Sequence, residues 1–176
     1  MDLINTLETI ATFLEENDFR YALIGGLALA AYGHARSTLD VDLVVERDQQ
    51  DRIIDFMESN GFDTLHHSDG YSNHSYADDK LRRVDFVYVR GETADRLFDS
   101  TINFASPDGL NIPVPRPEHL IAMKVLAMKN DPERTFQELA DIRALMSRPK
   151  VDRQEIRRYF DKHGLLERFH ELDRSL

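Results

Sequence analysis

The feature that most constrains this chain is a pair of aspartates at the start of an otherwise apolar segment. The stretch LDVDLVVE, residues 39–46, is rich in β-branched and aliphatic residues, which favour a buried β-strand. Side chains alternate along a strand, so Asp40, Asp42 and Val44 share one face. Burying a charge is costly unless a counter-charge is present. The pair therefore predicts a functional site where this strand begins.

A second predicted strand carries a third aspartate in a comparable position. The stretch RVDFVYV, residues 83–89, also begins polar and becomes apolar after Asp85. If the two strands are neighbours, Asp40, Asp42 and Asp85 converge at one edge of a sheet. Two unit charges about 4 Å apart repel by roughly 4 kcal/mol at an effective dielectric near 20. Such a cluster calls for a divalent cation, Mg²⁺ or Mn²⁺, which also binds substrate phosphates and supports displacement at phosphorus.

An isolated D-x-D also has a purely local interpretation. Asp40 would then cap the turn after Thr38, and Asp42 would form a salt bridge. The sequence upstream favours a site, because Gly25 and Gly26 end one predicted strand and open a short helix about 15 residues before the pair. Glycines at such a point let a ligand approach the backbone, and free N–H groups at the start of a helix bind phosphate.

The segment between the glycines and the aspartates adds candidate phosphate ligands. Arg36, Ser37 and Thr38 have side chains that hold phosphate oxygens or position a substrate in other proteins. The alternative interpretation is ordinary loop chemistry. The histidines do not indicate zinc, since His66 and His67, with His74 nearby, match no standard ligand spacing.

The order of predicted elements indicates an α/β (α+β) core over residues 1–115 and a helical region over residues 116–176. Strands are predicted at 19–25, 39–46, 62–67 and 82–90, with a weaker pair at 100–106 and 110–115. Residues 69–80 are polar and predict a loop or hairpin. From residue 116 onward, the sequence favours successive helices.

Composition limits the classes of function. The 176 residues carry a net charge of −10, which disfavours a broad nucleic-acid surface. A nucleic-acid contact would need a local basic patch, and the candidates are Arg82-Arg83, Arg157-Arg158, and Arg116 with Lys124 and Lys129. Zero cysteines exclude disulfides and thiolate chemistry. An acidic N-terminus and the lack of a membrane-length apolar run predict a cytoplasmic protein without a membrane partner.

Taken together, these motifs resemble the DNA polymerase β-like nucleotidyltransferase superfamily. The resemblance rests on three motifs, which are Ile24-Gly25-Gly26, then Asp40-Val41-Asp42 on a strand, then Asp85 on a later strand. The form R-x-T-x-D-x-D-L, residues 36–43, is most similar to a small bacterial branch that includes AbiEii-type toxins. The resemblance implies a mixed sheet flanked by helices, followed by a helical part.

Two helical motifs of that branch have partial counterparts in the C-terminal region. Lys124 lies in HLIAMKVLAMK, where the resemblance implies a lysine that neutralises phosphate charge. Asp141-Ile142 completes a second motif, but Gln137-Glu138 stands where a basic residue and an aspartate are expected. The alternative for Lys124 is a lysine that extends from an amphipathic helix to solvent.

The resemblance implies a magnesium-dependent nucleotidyl transfer. Asp40 and Asp42 would bind the metal that accompanies a nucleoside triphosphate, and Asp85 would bind a second metal and activate the acceptor hydroxyl. Gly25 and Gly26 would cradle phosphates, assisted by residues 36–38. The acceptor would be an RNA 3′ end, a protein or a small molecule, and a toxin would have an antitoxin partner.

Two other readings of the sequence stay open. D-x-D also serves as the metal motif of nucleotide-sugar glycosyltransferases, but that activity needs a larger α/β domain and leaves Gly25-Gly26 unexplained. A nucleotidyltransferase-like fold that binds a nucleotide or a partner protein without turnover is the main alternative.

Overall fold

A computed structural model describes residues 3–76, 79–105 and 109–176, with the side chains of 79–82 also outside the description. The chain forms two compact units. The first comprises Met1–Ala31 and Ala35–Pro115, and the second comprises Tyr32–His34 and Arg116–Leu176. No helix among the described residues combines the length and apolar character needed to cross a bilayer.

The first unit is built on a five-stranded mixed sheet with the strand order β1-β2-β5-β4-β3. Strands β2 and β5 are parallel, and the other neighbouring pairs are antiparallel. A separate hairpin is formed by β6 and β7. The strands are β1 (Tyr21–Leu23), β2 (Val41–Glu46), β3 (Phe62–Ser68), β4 (Tyr71–Tyr76), β5 (Asp79–Val89), β6 (Ile102–Ala105) and β7 (Asn111–Val114).

The helices of the first unit cover apolar strand residues. Amphipathic α1 buries Leu7, Ile10 and Leu14, and a very short α2 connects β1 to the segment before β2. The helices of this unit are α1 (Leu3–Glu16), α2 (Gly25–Ala28), α3 (Gln50–Ser59) and α4 (Gly91–Phe98). The predicted mixed sheet flanked by helices is therefore confirmed.

One detail of the first unit differs from the sequence-based prediction. The helix predicted after Gly25 is a single α-helical turn followed by a 3₁₀ turn at Leu29–Tyr32. The polar segment 69–80, predicted as a loop or hairpin, follows the hairpin alternative, since β4 pairs antiparallel with β5. Strand β4 escaped prediction because its buried side chains include Ser72, His74 and Ser75, so its alternation is not apolar.

The second unit is helical, as its sequence predicts. Its core is formed by aliphatic and aromatic side chains that are almost fully buried, including Ile121, Ile142 and Phe160. Asp152 caps the third of these helices by accepting hydrogen bonds from the amides of Gln154 and Glu155. The helices are α5 (Pro117–Asn130), α6 (Thr135–Met146), α7 (Arg153–Lys162) and α8 (Leu166–Arg174).

Candidate active site

Asp42 and Asp85 are direct neighbours across the two central strands. The parallel register of β2 and β5 places Asp42 opposite Asp85, between the pairs Val41–Val84 and Leu43–Phe86. Neighbouring strands lie about 4.8 Å apart, and paired residues point to the same face. The expectation that these two strands adjoin is therefore confirmed, and two carboxylates share one face of the sheet.

Asp40 occupies a different position from the one predicted. Strand β2 begins at Val41, so Asp40 precedes the strand rather than lying within it. Its Oδ1 accepts a hydrogen bond from the backbone N–H of Arg83 at 3.3 Å, and its own N–H donates to Thr38 Oγ1 at 3.3 Å. Asp40 is thus held at the entrance to β2 and β5 through its carboxylate and its backbone N–H. In the turn after Thr38 the capping oxygen belongs to Thr38, which accepts from the Asp40 N–H, and not to Asp40 as the local interpretation expected.

Gly25 lies directly against the carboxylate of Asp42. Its φ is +65°, a left-handed conformation that favours glycine. A Cβ added at Gly25 would overlap the carboxylate oxygen Oδ2 and the carboxyl carbon of Asp42. The amide of Ile24 also donates a hydrogen bond to the carbonyl of Asp42 at 2.9 Å. The first glycine therefore makes room for the aspartate side chain.

Gly26 packs against the segment that precedes Asp40. A Cβ at Gly26 would lie 3.1 Å from Thr38 Cβ and 3.2 Å from Arg36 Cζ. Residues 36–40 line an open depression of about 320 Å³ on the surface of the first unit. The structure therefore brings Gly25, Gly26, Arg36 and Thr38 to the Asp42 side of the site, with Ser37 exposed between the last two.

Strand β4 adds two residues that the sequence analysis did not identify. Asn73 pairs with Asp85 in the antiparallel register of β4 and β5, so Asp42, Asp85 and Asn73 form one row across three strands. Tyr71, two residues earlier on the same face, donates a hydrogen bond to Asp85. Burial, and then the negative charges of Asp85 and Asp42, raise the pKa of Tyr71 above its usual range.

The amide oxygen of Asn73 is buried, and no described residue donates a hydrogen bond to it. Buried polar atoms in folded proteins are nearly always hydrogen-bonded, and an unsatisfied one costs free energy. Asn73 therefore brings to the row an oxygen that can still accept a hydrogen bond, and His66 of β3 pairs with Asn73 on its other side.

The donor set suits magnesium bound together with a phosphorylated substrate. Within the ranges that the structure describes, no three His, Cys, Asp or Glu side chains gather closely enough to hold a metal by themselves. Magnesium commonly takes only one or two protein carboxylates and completes its shell with waters and substrate phosphates. The neighbouring carboxylates of Asp42 and Asp85 fit that requirement, with Asp40 nearby at the strand entrance.

Lys124 lies in the second unit, in a buried ion cluster. Its ammonium contacts Glu138 Oε2 at 2.8 Å and Asp141 Oδ2 at 2.6 Å, and all three residues are at least 93% buried. Arg134 also contacts Glu138, at 2.7 Å. Glu138, noted as a departure from the expected motif, supplies one of the carboxylates that compensate the lysine. Lys124 therefore does not extend to solvent.

This cluster also changes the interpretation of one candidate basic patch. Arg116 contacts Glu155 Oε1 at 2.6 Å, and Lys124 is compensated as described, so the prediction of a basic face from Arg116, Lys124 and Lys129 is wrong. Arg82 lies outside the described side chains, while Arg157 and Arg158 are exposed.

The histidines near the sheet do not form a metal site. His74 is buried on the face opposite Asn73, where its ring nitrogens contact Thr64 Oγ1 at 3.1 Å and Ser72 Oγ at 3.0 Å. Burial lowers the pKa of His74 to about 4. Its neutral ring is therefore part of the core, whereas His66 and His67 are exposed on β3.

Comparisons with known proteins agree with this architecture. Residues 1–172 match a protein family that is described as an uncharacterised nucleotidyltransferase. A search of curated proteins finds no match.

Several solved structures share the fold at low sequence identity. The antibiotic-resistance factor ANT(2″)-Ia superposes with a TM-score of 0.69 at 14% identity, covering 96% of both chains. The complex of ANT(2″)-Ia with adenylyl-2″-tobramycin has a TM-score of 0.67 at 14% identity, covering 92% of this chain and 96% of that one. The lincosamide adenylyltransferase LnuA with bound lincomycin gives 0.53 at 18% identity, covering 80% and 94%. A CCA-adding enzyme with CTP gives 0.53 at 14% identity, covering 98% and 47%.

Proposed function

The chain belongs to this family of nucleotidyltransferases, and we propose that it moves a nucleoside monophosphate from a nucleoside triphosphate to an acceptor hydroxyl in a Mg²⁺-dependent reaction. The observation that carries the proposal is the pairing of Asp42 with Asp85 beside Gly25. Two adjacent carboxylates next to a backbone without a side chain suit a cation and a triphosphate approaching together.

Each site residue has a distinct task in this proposal. Asp42 and Asp85 would hold Mg²⁺ or Mn²⁺, assisted by Asp40, and a cation there would supply charge neutralisation and polarisation of the phosphoryl oxygens. Asp85 takes the proton of the acceptor hydroxyl while the hydroxyl oxygen of the acceptor forms a bond to the α-phosphorus. The bond from the α-phosphorus to the bridging oxygen of pyrophosphate breaks, and pyrophosphate leaves.

The residues on the Asp42 side hold the triphosphate. Gly25 and Gly26 allow close approach of the phosphates, while Arg36 offers a cation and Ser37 and Thr38 offer hydroxyl donors. Lys124 remains a proposed nucleotide-binding residue. Its ion pairs with Glu138 and Asp141 would have to be exchanged or shared for that role.

A small hydroxyl-bearing molecule is the acceptor class that the charge of the protein favours. A net charge of −10 repels a polyanionic RNA, and one candidate basic patch is compensated by carboxylates. Structures that share the fold contain adenylyl-2″-tobramycin, a small molecule that already carries the nucleotide, and lincomycin, a small hydroxyl-bearing molecule. Protein and RNA acceptors are the other outcomes of the test below.

Two finer assignments remain predictions. Membership of the AbiEii-like toxin branch rests on the motif at residues 36–43, and an antitoxin partner would follow from it. A protein that co-purifies with the chain and blocks transfer would support that branch. A cytoplasmic location is likewise a prediction from the sequence.

The test is a transfer assay with each of the four α-³²P-labelled nucleoside triphosphates and Mg²⁺ or Mn²⁺. Tobramycin, lincomycin, total tRNA and cell extract serve as separate acceptor sources, with the Asp40→Ala/Asp42→Ala double variant as the control. We expect label on a small molecule with the wild-type protein only. Label on RNA or on a protein band would support the same reaction but change the acceptor class.

The same assay separates catalysis from nucleotide binding without turnover. A wild-type protein that binds a nucleotide in a metal-dependent way, yet labels nothing in cell extract, would contradict the proposed reaction and favour the non-catalytic alternative. Absence of any nucleotide binding would contradict the proposed reaction and favour a non-catalytic protein that binds a partner protein.

A further inference from the structure

The pair Asp42–Asp85 has different neighbours at its two ends. On one side of Asp42 lie Gly25 and Gly26, with the segment 36–40 that follows them. On the far side of Asp85 lies Asn73 of β4, and beyond it the exposed His66 of β3. Residues directly opposite each other in an antiparallel pair have Cβ atoms about 4.5–5.5 Å apart, so the Asn73 amide borders the Asp85 carboxylate.

The geometry of displacement at phosphorus gives these two ends different partners. The attacking and leaving oxygens lie roughly in line on opposite sides of the phosphorus. If pyrophosphate leaves toward Gly25, Gly26 and Arg36, the acceptor hydroxyl must enter from the opposite side. That side of the row, beyond Asp85, is the one that Asn73 occupies.

Asn73 also has the chemistry of a ligand-binding residue. Its buried Oδ1 accepts no hydrogen bond from any described residue. A neighbouring hydroxyl or amino group of the acceptor would donate to this oxygen and satisfy it. A phosphate group, which carries acceptor oxygens and negative charge, would not satisfy it.

We propose that Asn73 is an acceptor-binding residue, whose side-chain oxygen receives a hydrogen bond from a hydroxyl or amino group of the acceptor. This inference rests on the proposed function and deepens it. It names a residue that recognises the acceptor and the donor chemistry that it selects. Asn73 makes no bond to the transferred phosphorus and holds neither the nucleotide nor the cation.

The first test separates acceptor binding from nucleotide binding. Isothermal titration calorimetry with α,β-methylene-ATP and Mg²⁺ compares the wild-type protein, Asn73→Ala and Asn103→Ala. The last variant is the matched control, because Asn103 is an exposed asparagine in strand β6. We expect all three dissociation constants to agree within about twofold. A tenfold weaker affinity in Asn73→Ala alone would overturn the assignment, because it would place Asn73 on the nucleotide side.

The second test measures transfer from ATP to tobramycin, or to the acceptor that the labelled screen identifies. We expect Asn73→Ala to raise the acceptor KM at least tenfold without changing the ATP KM, whereas Asn103→Ala changes neither. An acceptor KM equal to that of the control would overturn the assignment. If the wild-type protein transfers to nothing, the proposed reaction fails, while the calorimetry still decides whether Asn73 lies on the nucleotide side.

Thermal unfolding shows whether a change in the acceptor KM comes from a folding defect of the variant. Removing a buried acceptor that lacks a donor relieves a desolvation cost, so Asn73→Ala should melt at or above the temperature of Asn103→Ala. A functional residue gives unchanged or higher stability together with a higher acceptor KM. If Asn73→Ala melts several degrees lower, its kinetics no longer isolate acceptor binding, and Asn73→Ser replaces it as the kinetic variant. An acceptor KM of Asn73→Ser equal to that of the control would then overturn the assignment.

Discussion

The side chain of Asp42 fills the space that a Cβ on Gly25 would occupy. The two residues are 17 positions apart, and they meet because Gly25 adopts a φ of +65° immediately after β1, which pairs with β2. The position of the Asp42 carboxylate therefore depends on the missing side chain of Gly25. A substitution at Gly25 tests this contact.

Gly25→Ala should lose both stability and transfer. The variant combines a left-handed backbone, which costs an alanine about 1–2 kcal/mol, with a direct overlap on the Asp42 carboxylate. We expect the free energy of unfolding to fall by at least about 2 kcal/mol and transfer to fall more than tenfold. Chemical denaturation and the labelled assay measure the two effects.

Gly70→Ala is the matched control for this substitution. A Cβ at Gly70 meets no atom within 4 Å, and its φ lies outside the left-handed range. Its unfolding free energy should change by no more than about 0.5 kcal/mol. If Gly25→Ala unfolds like this control and keeps its activity, the close approach of Gly25 and Asp42 is not a requirement of the site.

Asp42→Asn should leave the fold intact without metal but abolish the stabilisation by a magnesium–nucleotide complex. Two adjacent carboxylates repel, so losing one charge does not destabilise the metal-free protein. A ligand at 100 times its Kd adds about 2.7 kcal/mol to the stability of a protein that binds it. Differential scanning fluorimetry with Mg²⁺ and α,β-methylene-ATP should therefore raise the melting temperature of the wild type by about 5–10 °C.

In the same scan, Asp42→Asn should show no such shift. Asp63→Asn, which alters an exposed aspartate in strand β3, should respond like the wild type. An equal shift in all three proteins would exclude Asp42 as a ligand of the metal–nucleotide complex.

Lys124→Met should destabilise the second unit strongly. The substitution leaves Glu138 and Asp141 buried without the ammonium that lies 2.6–2.8 Å from both. Removing one partner from a buried ion cluster costs about 3–5 kcal/mol. Urea denaturation of Lys129→Met, which alters an exposed lysine on the same helix, provides the reference. A loss no larger than that of the reference would show that the buried cluster contributes little to stability.

His74 should make the stability of the protein fall with acidification. Burial lowers the pKa of His74 to about 4, whereas an exposed histidine titrates near 6.5. Above pH 6.5 the ring is neutral in both states, so its contribution to stability is complete. Between about pH 6.5 and 4 the unfolded chain takes up a proton and the folded chain does not. The free energy of unfolding then falls by up to about 3 kcal/mol.

His74→Gln should remove this part of the pH dependence, while His66→Gln, at an exposed position on β3, should keep it. Denaturation curves at pH 7, 5.5 and 4.5 measure the difference between the variants. Parallel losses of stability in both variants would mean that other groups carry the acid sensitivity.

The sequence predicts the two central strands and their adjacency because both strands are strongly apolar. The alternation in residues 39–46 and 83–89 identifies β2 and β5, and their adjacency brings Asp42 to Asp85. The predicted start of β2 is less accurate than its predicted centre. Asp40 lies before the strand, where its side-chain carboxylate accepts a hydrogen bond from the Arg83 backbone N–H.

The β4 side of the site was not predictable by the same reasoning. Strand β4 buries Ser72, His74 and Ser75, so neither the hydrophobic pattern nor composition distinguishes it from a loop. Asn73 consequently had no predicted neighbour. Its position follows only from the pairing of β4 with β5, a contact that depends on the whole sheet. The buried ion cluster of Lys124 was not predictable for the same reason, since its partners lie 14 and 17 residues away on another helix.

Nucleotidyl transfer and phosphoryl transfer differ in the fate of two labelled phosphates of the nucleotide. The protein is incubated with an acceptor and Mg²⁺, together with either α-³²P-labelled or γ-³²P-labelled ATP, or with the corresponding pair of whichever nucleotide the screen selects. We predict that the α label is transferred to the acceptor, that the γ label is released in pyrophosphate, and that Asp42→Asn does neither. Transfer of the γ label, or undiminished transfer of the α label by Asp42→Asn, would contradict the account.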